Sequence, residues 1–443
     1  MNIQLSDHFS YKKLLRFVIP SIIMMIFTSI YGVVDGLCVS NFVGKTSFAA
    51  VNLIMPLLMI LGAIGFMIGT GGCAIVSKTL GEGKKETANK YFSMLVYVTI
   101  IVGIILTIIG QIFIKYIASS LGASDNMLEN CVLYGRITLI SLTAFMLQNV
   151  FQSFLVAAEK PKIGLNVTIA AGLTNVILDL LFVAAFKWGI AGAAAATALS
   201  QLVGGIIPLI YFSRKNSSLL QLTKSKPDMK ILLKTCVNGS SELMTNVSLS
   251  LVNMLYNFQL MRFAGENGIA AYGVIMYVNF IFIAIYIGYS IGSAPIIGYH
   301  YGAGNHAELK NLFKMSLKII GIAGILLTLL SEVLAPPLTK IFVGYDLSLY
   351  LFTCNGFRIF AFSFLISGFN IFGSSFFTAL SNGAVSALIS FLRTLLFQVA
   401  AVLILPIIFG INGIWFAVVA SEILAVLITF SFFVKLTNKY HYL

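Results

Sequence analysis

Charge is scarce along this chain. Asp, Glu, Lys and Arg make up 10% of its 443 residues, where a soluble domain typically carries about a quarter. With 59% hydrophobic residues, a soluble globular fold is excluded. Histidine is rarer still. The four present, His8, His300, His306 and His441, fall in loops or near the ends of the chain, so no nucleophile, base or metal cluster of an enzyme forms around them. The five cysteines, Cys38, Cys73, Cys131, Cys236 and Cys354, are odd in number and widely spaced with no CxxC pair. Neither a disulfide framework nor a zinc site follows, and they read as small core residues. No long polar stretch separates the hydrophobic runs, so no soluble catalytic domain is expected. The reading is of a protein that is not an enzyme and holds no resident cofactor or metal.

What the chain has in abundance is apolar runs of bilayer length, about 20 residues each. Twelve are expected, at 14–40, 48–77, 91–114, 132–157, 163–186, 189–213, 232–261, 269–299, 312–335, 349–378, 384–408 and 411–435. The basic start at Lys12, Lys13 and Arg16 leads into a run much longer than a signal-peptide core, so a cleaved signal is not expected. The fold class is therefore an all-α integral membrane protein.

The two halves repeat. A shift of 221 residues carries Phe42, Gly44, Ala49 and Ala50 onto Phe263, Gly265, Ala270 and Ala271. It carries Gly71, Gly81 and Gly83 onto Gly292, Gly302 and Gly304, and Gly189-Ile190-Ala191-Gly192 onto Gly410-Ile411-Asn412-Gly413. Glycines in register over such a length are not chance. Twelve transmembrane helices in two pseudo-symmetric six-helix lobes follow, and because six is even both lobes enter the membrane the same way, a parallel repeat. The boundaries read as an N-terminal lobe at 1–212, a polar linker at 213–231 and a C-terminal lobe at 232–443. The matching turns Leu80-Gly81-Glu82-Gly83-Lys84 and Tyr301-Gly302-Ala303-Gly304-Asn305 read as helix C-caps, because neither GxG follows a strand as a nucleotide fingerprint would.

The formal net charge of +13 does not point to nucleic acid, because the basic residues fall on one side. With the N-terminus inside, Lys12, Lys13, Arg16, Lys84, Lys85, Lys160, Lys162, Arg214, Lys215, Lys310 and Lys314 all lie in the cytoplasm, while Lys115, Lys187, Arg262 and Lys340 are among the few outside. That bias places both termini in the cytoplasm of a multi-pass plasma-membrane protein.

Acidic groups within spans are expensive and mark function. Asp35 lies roughly 8 Å inside the outer end of the first span, Asp179 roughly 10 Å inside that of the fifth, and Thr197 roughly 12 Å into the sixth, at 1.5 Å per residue. Asn175 sits one turn from Asp179 on the same face. Four oxygen-bearing side chains thus converge at one depth. Two neighbouring carboxylates can share a proton, or the set can hold a hard cation such as Na+. In the seventh span, Glu242, Asn246, Ser250, Asn253 and Asn257 follow at +4, +4, +3 and +4, a polar stripe facing either a cleft between lobes or neighbouring helices. Glu242 is the charge expected to meet a cationic cargo. Phe, Tyr and Met number 36, 18 and 15, side chains suited to lining a cleft for planar lipophilic cations. Pro20 favours a kink in the first helix. Glu332 and Glu422 are weaker candidates, the latter as a partner for Arg393.

Pro20 and Asp35 in the first span, Asn175-x-x-x-Asp179 in the fifth, Thr197 in the sixth and Gly292-Ser293-Ala294-Pro295 in the eighth together resemble the multidrug and toxic compound extrusion (MATE) family, in its bacterial branches. The resemblance covers the whole chain. It implies a monomeric antiporter that exports lipophilic organic cations and drugs by alternating access, in exchange for H+ or Na+. It also implies that Asp35, Asn175, Asp179 and Thr197 match the family's cation site. Some members pair a seventh-span acid with an aspartate in the tenth span, but none stands between Phe352 and Thr378 here, so the N-terminal lobe is favoured. The alternative is a flippase for lipid-linked oligosaccharides of the same superfamily. Such a protein needs a cationic cavity, whereas Arg136 and Arg358 lie near helix ends and Arg393 stands alone.

Overall fold

A computed structural model describes residues 3–123 and 125–443. The first half contains α1 (Tyr11–Phe42), α2 (Lys45–Gly81), α3 (Lys85–Ser120), α4 (Asp125–Ile140), α5 (Leu142–Ala157), α6 (Pro161–Asp179) and α7 (Gly189–Ser213). After residues 214–228, which form no helix, come α8 (Met229–Gly302), α9 (His306–Val343), α10 (Leu347–Ala361), α11 (Phe364–Ala379), α12 (Gly383–Phe391), α13 (Phe397–Phe409), α14 (Ile411–Lys435) and a last turn, α15 (Thr437–Tyr440). Local chemistry starts several of them. Asp228 caps α8 by accepting from the Lys230 and Ile231 amides, Asp346 caps α10 in the same way, and Pro161 opens α6 where its missing N–H is not needed.

Among the described residues, nine helical segments are long and apolar enough to cross a bilayer, and the bent pairs α4/α5 (54°) and α10/α11 (46°) raise this to eleven. Helix α8 runs for 74 residues, about 110 Å at 1.5 Å per residue, against an apolar core of about 30 Å. It breaks at Gly265, where φ is 60° and ψ is −148°, and so makes two spans. Twelve spans result, six to each half, as the sequence predicts.

The repeat extends to backbone detail. Gly44 and Gly265, Gly83 and Gly304, and Gly189 and Gly410 all take positive φ, each pair separated by the same 221 positions. The bend at Ser141 recurs at Phe362 and Ser363. The lipid-facing stripe of α3, Ile101, Ile104, Ile105, Ile108 and Ile112, recurs on α9 as Ile322, Ile325, Leu326, Leu329 and Val333. All ten side chains are exposed, the inverse of a soluble helix, because the surrounding lipid is as apolar as a core.

The lobes meet on the face that carries the termini. The two glycines of each GxG turn serve different ends there. Gly83 and Gly304 are left-handed caps, with Lys84 N–H donating to Thr79 O and Asn305 N–H to His300 O. Gly81 and Gly302 leave no room for a Cβ, since each backs onto a carbonyl of the other lobe, Tyr299 and Lys78 respectively. Gly71 and Gly239 cross just as tightly one layer deeper. Toward the opposite face, Gly32 and Gly36 of α1 and Gly273 of α8 have nothing within 4 Å of the point where a side chain would begin. The bundle is closed at one end and open at the other.

Residues 3–10 lie across the closed face. Leu5 N–H donates to Glu159 of the first lobe (2.6 Å), Phe9 N–H to Glu308 of the second (2.9 Å), and Asn311 Nδ2 to Phe9 O (2.9 Å). Leu5 and Phe9 are buried. The interlobe segment is fastened too, with Gln221 N–H donating to Asn89 Oδ1 and Thr223 N–H to Ser93 Oγ, both at 2.8 Å.

Candidate functional site

Two polar centres stand out, and they are separate. The first lies inside the N-terminal lobe. Asp35 of α1 faces Asp179 and Asn175 of α6 and Thr197 of α7, so the four residues expected from depth alone do come together. Asp35 is 9% exposed, Asn175 2% and Asp179 1%. Asp35 Oδ1, Asn175 Oδ1, both Asp179 carboxylate oxygens and Thr197 Oγ1 are buried without a hydrogen-bond partner among the described residues. Such orphan acceptors are costly unless something else satisfies them. All five are hard oxygen donors, which fits a proton or a small monovalent cation. Immediately after Asp179 the helix widens into a π-helical stretch, Leu180–Ala185, a feature frequent at functional positions. Tyr134 of α4, beside Thr197, and Tyr31 of α1, beside Gln148, complete the wall. Sequence reasoning passed over these two tyrosines because aromatics are common throughout the chain.

The second centre is a cavity of about 320 Å³ between the lobes. Met25 and Ser29 of α1, Phe66, Thr70 and Cys73 of α2, and both arms of α8 line one part of it. Its only charged lining residues, among those described, are Glu242, Glu422 and Arg393. Glu242 makes no hydrogen bond or salt bridge through its carboxylate among the described residues, whereas Glu422 is held by Arg393 through Nε (2.9 and 3.0 Å) and Nη2 (2.8 Å). That pairing matches the sequence expectation for Glu422. Glu332, the other weak candidate, stands 3.7 Å from Arg358 at a half-exposed position.

The stripe expected on the seventh span is rotated. The cavity face of α8 is Glu242, Thr245, Leu249, Val252 and Asn253. Asn246 donates instead to the Glu242 carbonyl of its own helix (2.8 Å), and Asn257 is exposed. At 3.6 residues per turn, steps of four drift steadily around the helix, so only the first and fourth members share the cavity side. Asn253 there accepts from Tyr272 OH (2.8 Å). Helix α1 is a single helix with Pro20 inside it, and the proline lies where Ser21, Ile22 and Val18 press against Gly288 and Gly292 of α8. The cavity also has a hydroxyl wall that sequence reading missed: Ser363, Ser367, Ser374 and Thr378. Their spacing of four, seven and four would have revealed it, but serines in a span read first as small packing residues.

A family model for MatE matches the chain twice, over residues 20–181 and 243–404, once in each half. The multidrug export protein MepA of Staphylococcus haemolyticus (strain JCSC1435) is 26% identical over 313 residues, covering 70% of this chain and 69% of that protein. MepA of Staphylococcus aureus (strain N315) is 25% identical over 314 residues, with the same coverage of each chain. Among solved structures, one described as the outward-facing conformation of a multidrug resistance MATE family transporter superimposes with a TM-score of 0.93 at 23% identity, covering 99% of this chain and 98% of that one. Two family matches, twelve spans in two repeated lobes and a shared fold over nearly the whole length agree, and the chain belongs to the MatE family of membrane transporters.

Proposed function

We propose that the protein is a multidrug efflux antiporter of the plasma membrane. It expels lipophilic organic cations and drugs in exchange for H+ or Na+ by alternating access. The observation that carries this reading is the pair of separate polar centres, one of orphan carboxylate oxygens within a lobe and one of Glu242 beside the paired Arg393 and Glu422 in a mostly apolar cavity. The first suits a small ion, and the second suits bulky cargo. Names of the staphylococcal relatives support drug export.

Asp35, Asn175, Asp179 and Thr197 bind the entering ion in this reading. Helix α1 carries Asp35 and, two to three turns along, Ser29 and Met25 of the cavity wall. Loading the acid cluster removes repulsion between two carboxylates and lets α1 shift against α8, with Pro20 as the point of give. Cargo held by Glu242 and by the aromatic and methionine walls then leaves. With both termini cytoplasmic, the closed face is the inner one and the conformation is outward-facing. A flippase for lipid-linked sugars fits less well, since the lining carries a single Arg393 against two acids and offers pyrophosphate a net negative wall.

The deciding experiment is ethidium export from pump-deficient cells carrying the wild type or Asp35→Asn. Export by the wild type alone, at equal expression, supports the reading. Full export by Asp35→Asn removes the ion site, and no export by a well-folded wild type removes drug efflux.

A further inference from the structure

Arg393 does more than neutralise Glu422. It sits in the π-helical turn Leu392–Leu396 of the eleventh span, where the wider turn re-aims side chains. Glu422 is itself anchored, because Asn370 Nδ2 donates to its Oε2 (2.7 Å) and Thr429 Oγ1 donates to Asn370 Oδ1 (2.9 Å). This three-residue scaffold grips one edge of the guanidinium, Nε and one Nη2 hydrogen. A guanidinium has five N–H donors in a flat fork. Three of them, including both on Nη1, have no partner among the described residues, and the side chain lines the cavity. A buried ion pair is seldom retained for stability, since apolar replacements serve as well or better.

The free edge has a definite chemistry. Two parallel N–H groups on one guanidinium match a carboxylate in the bidentate geometry that Arg alone provides. Ser367, one turn before Asn370 on α11, adds a buried hydroxyl with no hydrogen-bond partner among the described residues on the same cavity wall. Glu242 meanwhile lines the same cavity with a carboxyl group that has no side-chain partner among the described residues.

We propose that Arg393 forms a carboxylate-reading subsite, so that the cavity takes amphoteric organic compounds, with a basic group at Glu242 and a carboxylate on the free edge of Arg393. This rests on the drug-export reading and names a cargo class within it. Simple monocations use the Glu242 end alone, and compounds bearing both groups engage both ends. Glu422 then tunes the subsite, because it competes with the cargo carboxylate for the same cation.

The test is binding of rhodamine B, which carries a free carboxylate beside its cationic xanthene, and of its ethyl ester, which lacks that charge. Both are titrated by fluorescence anisotropy against the purified full-length protein in nanodiscs. Arg393→Gln is expected to weaken rhodamine B about tenfold, the loss of one charge-assisted contact, and to leave the ester within about twofold. The Arg393→Gln/Glu422→Gln double variant replaces the ion pair by a neutral hydrogen-bonded pair and avoids an abandoned buried charge, and it should show the same dye selectivity. Glu422→Gln should tighten rhodamine B. Equal losses for both dyes, or no loss for either, in the double variant overturn the subsite while leaving drug export standing. A wild type that binds neither dye overturns both readings.

Discussion

The two lobes share a backbone and differ in chemistry at the same addresses. Asp35, Asn175, Asp179 and Thr197 in the first lobe correspond, 221 positions on, to Tyr256, Leu396, Ala400 and Val418 in the second. Where one lobe gathers orphan carboxylate oxygens, the other stacks Tyr256 on Tyr272 with centroids 4.9 Å apart. The exchange also runs the other way. Arg393, Glu422, Asn370 and Thr429 hold one another in the second lobe, while their counterparts are Gly172, Gln201, Asn149 and Pro208. The glycines and bends that shape the helices stayed in register through this divergence. The repeat thus supplies a frame that each lobe fills differently, with a cluster of buried acidic and polar oxygens in one and an arginine–glutamate pair on the cavity wall in the other.

The comparison breaks most readily at the acids. Asp179→Asn is expected to lower the coupled efflux rate by about tenfold or more, over 1.4 kcal/mol of lost coupling, while Ala400→Asn at the matching site leaves it near wild type in the same dye-efflux assay. If both variants behave alike, the division of labour is wrong. A carboxylate introduced into the second lobe should find no such setting. Val418→Asp is expected to destabilise the protein by about 2–4 kcal/mol, the cost of an unpaired buried charge in a membrane, whereas Thr197→Asp loses more because a third carboxylate adds like-charge repulsion to the two already in that site. Thermal unfolding in detergent separates the two.

Smaller effects sharpen the contrast between the closed and open ends. Gly81→Val has no space against Tyr299 and should pry the lobes apart at the terminal face, read as increased labelling of a cysteine placed there. Gly32→Ala, facing open space, should change neither labelling nor stability by more than about 0.5 kcal/mol. The smallest change is predicted on the lipid belt. Ile104→Leu and its counterpart Ile325→Leu both swap one apolar surface for another, so export and melting should match wild type within about 0.5 kcal/mol.

Much of this was legible in the sequence because membranes impose simple rules. Span positions follow from the length of apolar runs, and the repeat from glycines whose φ or close packing excludes other residues. That Asp35, Asn175, Asp179 and Thr197 lie together was legible from depth alone, since residues in antiparallel spans at one depth become neighbours once the spans pack. What depth does not give is azimuth. A small error in rotation put Asn246 and Asn257 on the cavity side of α8, when one bonds its own helix and the other is exposed. The bends at Ser141 and Phe362 lack a proline or glycine to announce them. The hydroxyl wall of α11 escaped notice because serine in a membrane helix serves packing and recognition equally well.

The segment that crosses the closed face has a consequence for biosynthesis. Leu5 needs Glu159 and Phe9 needs Glu308, so this segment, made before both lobes, is anchored at one point when the first lobe is made and at the other only after the second lobe's third helix has begun. Until then the N-terminal lobe sits in the membrane with its lid half fastened. The Leu5–Phe9 segment is thereby among the last parts to find its place, a seal applied once both halves exist.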